Sequence, residues 1–234
     1  VRRISTSHNF ITADVDGNIG YFLAGRLPKR HPDHDYRLPV PASGEYDWQG
    51  VEVAADVVSN INPPEGWFGN FNNKPSTKIP GWWPELMWGQ PIHDILKANN
   101  PIDWDTFVGI NRANGEHHLA APFLQPHLLD VLRKYMSGDP QLELFYRLLE
   151  AWPGKDVPDD PVALIFNEWL LDILVELFRP DFGFMVERSM SRENLQLFGA
   201  LTFRVLEPQR AGFPLEGEYL HGRDPDELSL RVLK

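Results

Sequence analysis

Apolar and polar positions follow two different rhythms along this chain, and the change falls near residue 90. Before it, Asn9–Asp14 and Ile19–Ala24 are short runs rich in β-branched and aromatic residues, joined around Asp16-Gly17-Asn18. Such runs read as strands, and an Asp-Gly pair supplies the positive φ angles of a tight hairpin turn. Period-two alternation places Phe10 and Thr12 on one face of the first strand, with Ile11 and Ala13 on the other. The stretch from Leu27 to Gly50 is dense in Pro, Gly and His and also carries Tyr36, Tyr46 and Trp48. That mixture predicts a long ordered loop packed over the surface.

From about Ile92 onward the spacing becomes helical. Asp139-Pro140, Asp160-Pro161 and Asp224-Pro225 each pair an N-cap residue with proline at the first helical position. Glu227 stands three residues after Asp224, where a capping box puts it. Leu142, Phe145, Leu148 and Leu149 continue one such start at helical period, and a further helix runs from Ser191 towards Leu206, stopped by Pro208. The most apolar stretch, Val162 to Phe178, carries Glu168, Asp172 and Glu176 at spacing four. Three charges on one face make it an amphipathic core helix rather than a membrane span.

The fold class expected is therefore α+β: a β-hairpin and loop segment over residues 1–90, then a mainly α-helical region of about six helices over 91–234, together one structural unit. A hairpin alone is marginal in water, and Asp224–Lys234 has just entered a helix when the sequence stops. Both ends suggest a piece of something larger. Without further strands, Ile19, Tyr21 and Leu23, or their neighbours Phe22 and Ala24, would lie exposed along unpaired edges, which favours self-association through the hairpin.

Composition narrows the function classes. The 234 residues are 42% hydrophobic and 24% charged, with a net charge of −11, so the chain is globular and carries no electrostatic footprint for nucleic acid. Cysteine is absent, which excludes disulfides, thiolate metal sites and a cysteine nucleophile. His31-Pro32-Asp33-His34 and His117-His118 lack the spacing of ligands on a rigid element and read as solvated or loop-packing histidines. There is no Gly-rich phosphate loop and no serine-elbow motif.

Three blocks carry the chemistry. The first is Asn9-Phe10-Ile11-Thr12-Ala13-Asp14-Val15-Asp16-Gly17-Asn18-Ile19-Gly20-Tyr21, followed by Gly25-Arg26-Leu27-Pro28. The second is His34-Asp35-Tyr36-Arg37-Leu38-Pro39-Val40-Pro41, with Gly44, Asp47-Trp48 and Gly50 after it. The third is Asn62-Pro63-Pro64-Glu65-Gly66-Trp67-Phe68-Gly69-Asn70-Phe71-Asn72-Asn73-Lys74-Pro75. In this order the blocks resemble the catalytic β-chain of the penicillin acylase family and its cephalosporin and acyl-homoserine-lactone acylase relatives. Gly222–Leu233 is similar to a late helix of that chain.

The resemblance implies part of a four-layer αββα Ntn-hydrolase fold. In that family the nucleophile is the first residue of the mature β-chain, usually serine, freed by autoproteolysis and activated by its own α-amino group. An N-terminal amine suits that role because its pKa lies near neutrality. The resemblance makes Asn72, the first Asn of the Asn-Asn-x-Pro motif, the oxyanion donor, with Asn73 supporting the loop. Read from the motif alone, Asn72 is a turn residue before it is anything else; the three blocks together reverse that order and favour the oxyanion role. Trp67 and Phe71, beside it, read either as the wall of an acyl pocket or as ordinary packing, and the further aromatics Phe68, Trp82, Trp83 and Trp88 as packing.

The departures are specific. Val1 is no nucleophile, and the family's nucleophile precedes the Asn9–Tyr21 block by a long stretch. Where relatives often carry an arginine, this chain reads Trp88-Gly89-Gln90-Pro91-Ile92-His93. The family's calcium site draws on an acid after the Asn-Asn motif, where Trp82 and Trp83 stand and Glu85 is the nearest acid, so no metal or other cofactor is expected in this chain. The first functional reading is a fragment of an amidohydrolase acting on N-acyl small molecules, inactive alone and completed by the rest of its parent, in a periplasmic or extracellular setting and with no membrane span. The second is a non-catalytic binding or assembly module on a retained acylase scaffold.

Overall fold

A computed structural model of the protein describes residues 1–35, 38–79, 89–99, 101–189, 192–212 and 218–233. Its backbone gathers into two compact units, one of residues 1–89 and 93–100 and one of residues 90–92 and 101–234.

The first unit is built on the hairpin. β1 (His8–Ala13) and β2 (Ile19–Ala24) pair antiparallel, with His8 opposite Ala24 and Ala13 opposite Ile19. Asp14 closes the turn: one carboxylate oxygen accepts the backbone N–H groups of Asp16 and Asn18, and the other accepts the Asn18 side-chain amide. Those bonds, the Asn18 side chain first, hold the Asp14 carboxyl below the usual carboxylate range. Gly17 supplies the positive φ of 84° that the turn needs.

Two expectations change here. β2 is not an edge. β5 (Ser59–Ile61) pairs along its other side, Gly20 opposite Ile61 and Phe22 opposite Ser59, giving the order β1-β2-β5. Leu23 and Ala24 are consequently buried, and exposure passes to β1, where Ile11 is 50% exposed. The Leu27–Gly50 stretch, in turn, starts inside a strand. β3 (Arg26–Pro28) pairs with β4 (Val51–Val53), and two backbone bonds close the loop at its base, Lys29 N–H donating to the Gly50 carbonyl and Gln49 N–H to the Lys29 carbonyl. The one-turn helix α1 (Ala54–Val57) follows, and Leu23, Ala54, Val58 and Ile79 form a small core. α2 spans Gln90–Ala98, of which His93–Ala98 belong to this unit and Gln90–Ile92 to the second.

The second unit is helical: α3 (Trp104–Glu116), α4 (Ala121–Tyr135), α5 (Pro140–Ala151), α6 (Pro161–Phe182), α7 (Phe184–Ser189), α8 (Arg192–Leu206), α9 (Pro208–Ala211) and α10 (Pro225–Leu233). The three Asp-Pro starts hold. Asp139 caps α5, Asp160 caps α6, and Asp224 accepts the Glu227 N–H at 2.9 Å at the start of α10. A fourth aspartate, Asp103, caps α3 by accepting the Thr106 N–H at 2.7 Å. No proline follows Asp103, so the combined signal was missing there.

α6 is the axis of this unit. Val162, Phe166, Trp169, Ile173, Leu174 and Leu177 are buried along it, while Glu168 and Asp172 face solvent. The helix runs four residues past the predicted end, through Pro180, and stops at Gly183. Proline leaves the carbonyl four residues earlier without its usual donor. Here that carbonyl belongs to Glu176, and the Arg223 guanidinium donates to it at 3.0 Å.

α4 is capped by an unusual group. Ala120 has no side-chain oxygen, and the Nδ1 of His118 accepts the N–H groups of Ala120 and Ala121 at 3.2 and 3.1 Å. Nδ1 being the acceptor, the ring proton sits on Nε2 and donates to Asn167 Oδ1 at 3.2 Å, and Asn167 in turn donates to Asp156. His118 is thus a buried helix cap rather than a solvated or loop-packing histidine, packed edge-on against Trp152 and Phe166. Burial pushes its pKa below the ordinary value, against a smaller opposite pull from Asp156.

The linkage has a definite sign. Above the unfolded pKa of about 6.5 the ring is neutral in both states and the stability is fully present. As pH falls through that value the unfolded chain takes up a proton that the fold resists, and stability is lost. The urea midpoint should therefore drop between about pH 7.5 and about pH 5.5, and drop less in His118→Gln. An identical pH dependence in the two proteins would remove His118 as a cause.

Candidate functional site

The loop bearing Trp67, Phe71 and Asn72 lies in the first unit, and its residues turn to different surroundings. Asn72 adopts a left-handed backbone, φ 62°, a conformation Asn tolerates better than most residues. It is exposed, and its amide makes no hydrogen bond among the described residues. The loop is tied beneath it: Asn73 Oδ1 accepts the Phe71 N–H at 3.3 Å.

Both aromatics reach the beginning of α2. The Phe71 ring lies so close over Gly89, the residue that starts this helix, that a Cβ there would come within 2.2 Å of it. One turn further on, Trp67 meets the His93 ring edge-on at 5.5 Å. Each ring is half-buried, which leaves part of its surface open. The structure thus brings Trp67 and Phe71 together on one helix start, an arrangement open to either packing or pocket use.

Asn73 faces elsewhere, into a cleft of about 340 Å³ that it lines with Tyr21, Asn60, Phe68, Asn70 and Lys78 among others. Tyr21 and Phe68 are 6.0 Å apart. The Tyr21 hydroxyl donates to Asn9 Oδ1, and burial pushes its phenol pKa up. Asn60 and Lys78 had no sequence signal of their own. Asn60 enters through the pairing of β5 with β2, which no local pattern announces. Trp82, Trp83, Glu85 and Trp88, weighed above for packing and for calcium, lie outside the described residues. Among the described residues no group of three or more His, Asp or Glu gathers to hold an ion.

A second constellation sits in the helical unit. The His127 ring reaches Glu207 Oε1 through Nδ1 at 2.7 Å and Ser229 Oγ through Nε2 at 2.9 Å. Serine, histidine and carboxylate in this order have the spacing of a hydrolytic triad. Burial decides against that use: Ser229 is 0% exposed and His127 2%, so the hydroxyl meets helix rather than substrate. Trp169 donates to the Ser229 carbonyl at 3.2 Å, so residue 229 is held to α4 by its side chain and to α6 by its backbone.

Comparison with known proteins follows the same outline. The family model for penicillin amidase matches residues 1–217. Penicillin G acylase of Escherichia coli is 30% identical over 181 residues, covering 71% of this chain and 21% of its own length. The acyl-homoserine lactone acylase QuiP of Pseudomonas aeruginosa is 25% identical over 191 residues, covering 75% of this chain and 22% of its own. The chain thus spans about a fifth of the length of these curated relatives. Among solved structures, the thermostable penicillin G acylase from Alcaligenes faecalis superposes with a TM-score of 0.75 at 19% identity, over 99% of this chain and 46% of the other. That likeness shows the fold, an α+β portion of the penicillin acylase architecture. No helix among the described residues is long and apolar enough to cross a membrane. With a family match that extends over nearly the whole sequence, the chain belongs to the penicillin amidase family.

Proposed function

We propose that this chain is part of the catalytic chain of an enzyme that hydrolyses N-acyl amides, and that Asn72 is one of its oxyanion donors. The observation that carries the reading is the placement of Asn72. Within the family-matched span, Asn72 stands exposed on a tied-down loop, its amide making no hydrogen bond among the described residues, and in sequence it separates the half-buried Phe71 from Asn73, which lines a polar cleft.

The chemistry assigns each group a task. A serine hydroxyl, supplied by the parent outside this sequence, attacks the amide carbonyl carbon and passes its proton to the α-amino group of the same residue. The carbonyl oxygen becomes an oxyanion and accepts a hydrogen bond from the Asn72 amide, which donates without changing charge. The C–N bond then breaks, the amine leaves carrying the proton, and water releases the acid from the acyl-enzyme. Trp67 and Phe71 wall the acyl group. No step passes through a metal, and none is assigned to this chain. The parent works in the periplasm or outside the cell on small N-acyl compounds, and its remaining segments are the partner that completes the site.

Two outcomes test this. The isolated chain, incubated with chromogenic phenylacetyl and long-chain acyl amides, should release no amine above a heat-killed control; turnover would overturn the fragment reading. In an active parent, Asn72→Ala should lower kcat on the order of 100- to 1000-fold with little change in KM, as loss of one oxyanion donor does. A wild-type rate would return Asn72 to a turn residue.

A further inference from the structure

A larger cleft, of about 710 Å³, opens in the helical unit, lined by the α3–α4 connection, the loop from α5 to α6 and the first turns of α6. Backbone bonds fix its walls: His118 donates to the Gly154 carbonyl at 3.2 Å, Asp156 to the Glu116 carbonyl at 2.7 Å and Asp160 to the Val157 carbonyl at 3.2 Å. Part of the lining is apolar. Leu119 and Leu170 are buried, whereas Val157 and Leu164 remain 39% and 54% exposed. The hydrogen-bond donors at the two helix starts are spent. Those of α4 go to His118 Nδ1 and the Ala120 carbonyl, and those of α6 go to Asp160. Asn167 gives away both amide protons, to Asp156 Oδ1 and to the Ala163 carbonyl, each at 3.0 Å.

What stays available is oxygen. The Asp159 carboxylate makes no hydrogen bond or ion pair among the described residues, and Asp156 and Asp160 each engage only Oδ1 there. No lysine or arginine is among the described residues that line the cleft. An anion would therefore meet carboxylates and find no free backbone donor at either helix start. A metal ion needs ligands that converge, and among the described residues no group of three or more His, Asp or Glu does so. A cation with an apolar body matches both halves of the lining. We propose that this cleft binds an organic ammonium ion with an apolar tail, its charge met by Asp159 and the free oxygens of Asp156 and Asp160, its tail laid on Val157 and Leu164. The assignment does not rest on the acylase reading.

Binding to the full 234-residue chain tests it. Hexylammonium, 1-hexanol, hexanoate and methylammonium are titrated separately and followed by amide chemical shifts. Hexylammonium should saturate and shift Asp159, Leu164 and Asn167. It should bind about fivefold tighter than 1-hexanol, the scale of one solvent-exposed ion pair, and more than about tenfold tighter than methylammonium, which lacks the tail. Hexanoate should bind more weakly than the alcohol, and raising the salt concentration should shrink the preference for the amine. The double variant Asp156→Asn/Asp159→Asn should erase that preference. It keeps an acceptor for Asn167, and asparagine tolerates the φ of 67° at residue 159, so its urea midpoint should stay near that of the unsubstituted chain. Equal affinity for amine and alcohol, tighter binding of hexanoate, no saturable binding of hexylammonium, or an unchanged preference in the double variant overturns the proposal.

Discussion

Burial of one face of α6 is the constraint on which the helical unit rests. Phe166, Trp169, Leu170, Ile173, Leu174 and Leu177 lose nearly all contact with water; α7, α8 and α10 pack against α6, and α4 adds its buried face to the same cluster. A fully buried side chain of this size stabilises by about 1.5–3 kcal/mol relative to an exposed one, more than any single surface contact offers. The Thr202 hydroxyl is buried without a partner among the described residues, but other polar groups of this core are matched. His127 joins Glu207 and Ser229, Trp169 donates to a backbone carbonyl of α10, and Arg223 serves the carbonyl that Pro180 leaves unpaired. Each of these would be costly if left unmatched, so the surrounding helices are fixed in register as well as in contact.

The Ser229–His127–Glu207 row shows why distances alone do not make an active site. Its spacing satisfies a hydrolytic triad, but its place in the core turns the same hydrogen bonds into cement between helices. The candidate site has the opposite character. Asn72 is exposed, sits on an irregular loop and makes no side-chain hydrogen bond among the described residues, a posture that costs little because water satisfies an exposed amide.

The strand unit solves a different problem, that of presenting a loop accurately. Among the described residues its buried cluster is four, Leu23, Ala54, Val58 and Ile79, with three partly buried neighbours. Rigidity comes instead from directional bonds: the Asp14 cage at the hairpin turn, Asn62 Oδ1 accepting the Ile19 N–H at 2.9 Å, and the Asn73–Phe71 bond under Asn72. Asn62 and Asn72 both take positive φ, so the segment between β5 and the Asn-Asn motif is shaped by asparagines at each end.

Local chemistry made much of this readable from the residues in order. Asp16-Gly17-Asn18 announces its hairpin, Asp-Pro pairs announce three helices, and charges spaced by four along Val162–Phe178 announce which side of α6 is wet, because each signal lies within a few residues of what it determines. The motif blocks placed the chain in its family for the same reason. What the tertiary structure decided involves residues far apart in sequence. The Ser59–Ile61 strand covers the edge of β2, His118 caps α4 while bonding Asn167, and Arg223 reaches back to Glu176. Lys78 becomes part of a cleft with Tyr21 and Asn60 only once β2 and β5 lie side by side. No periodicity encodes such meetings, since they depend on where the chain returns after a long excursion and not on the composition of any one segment.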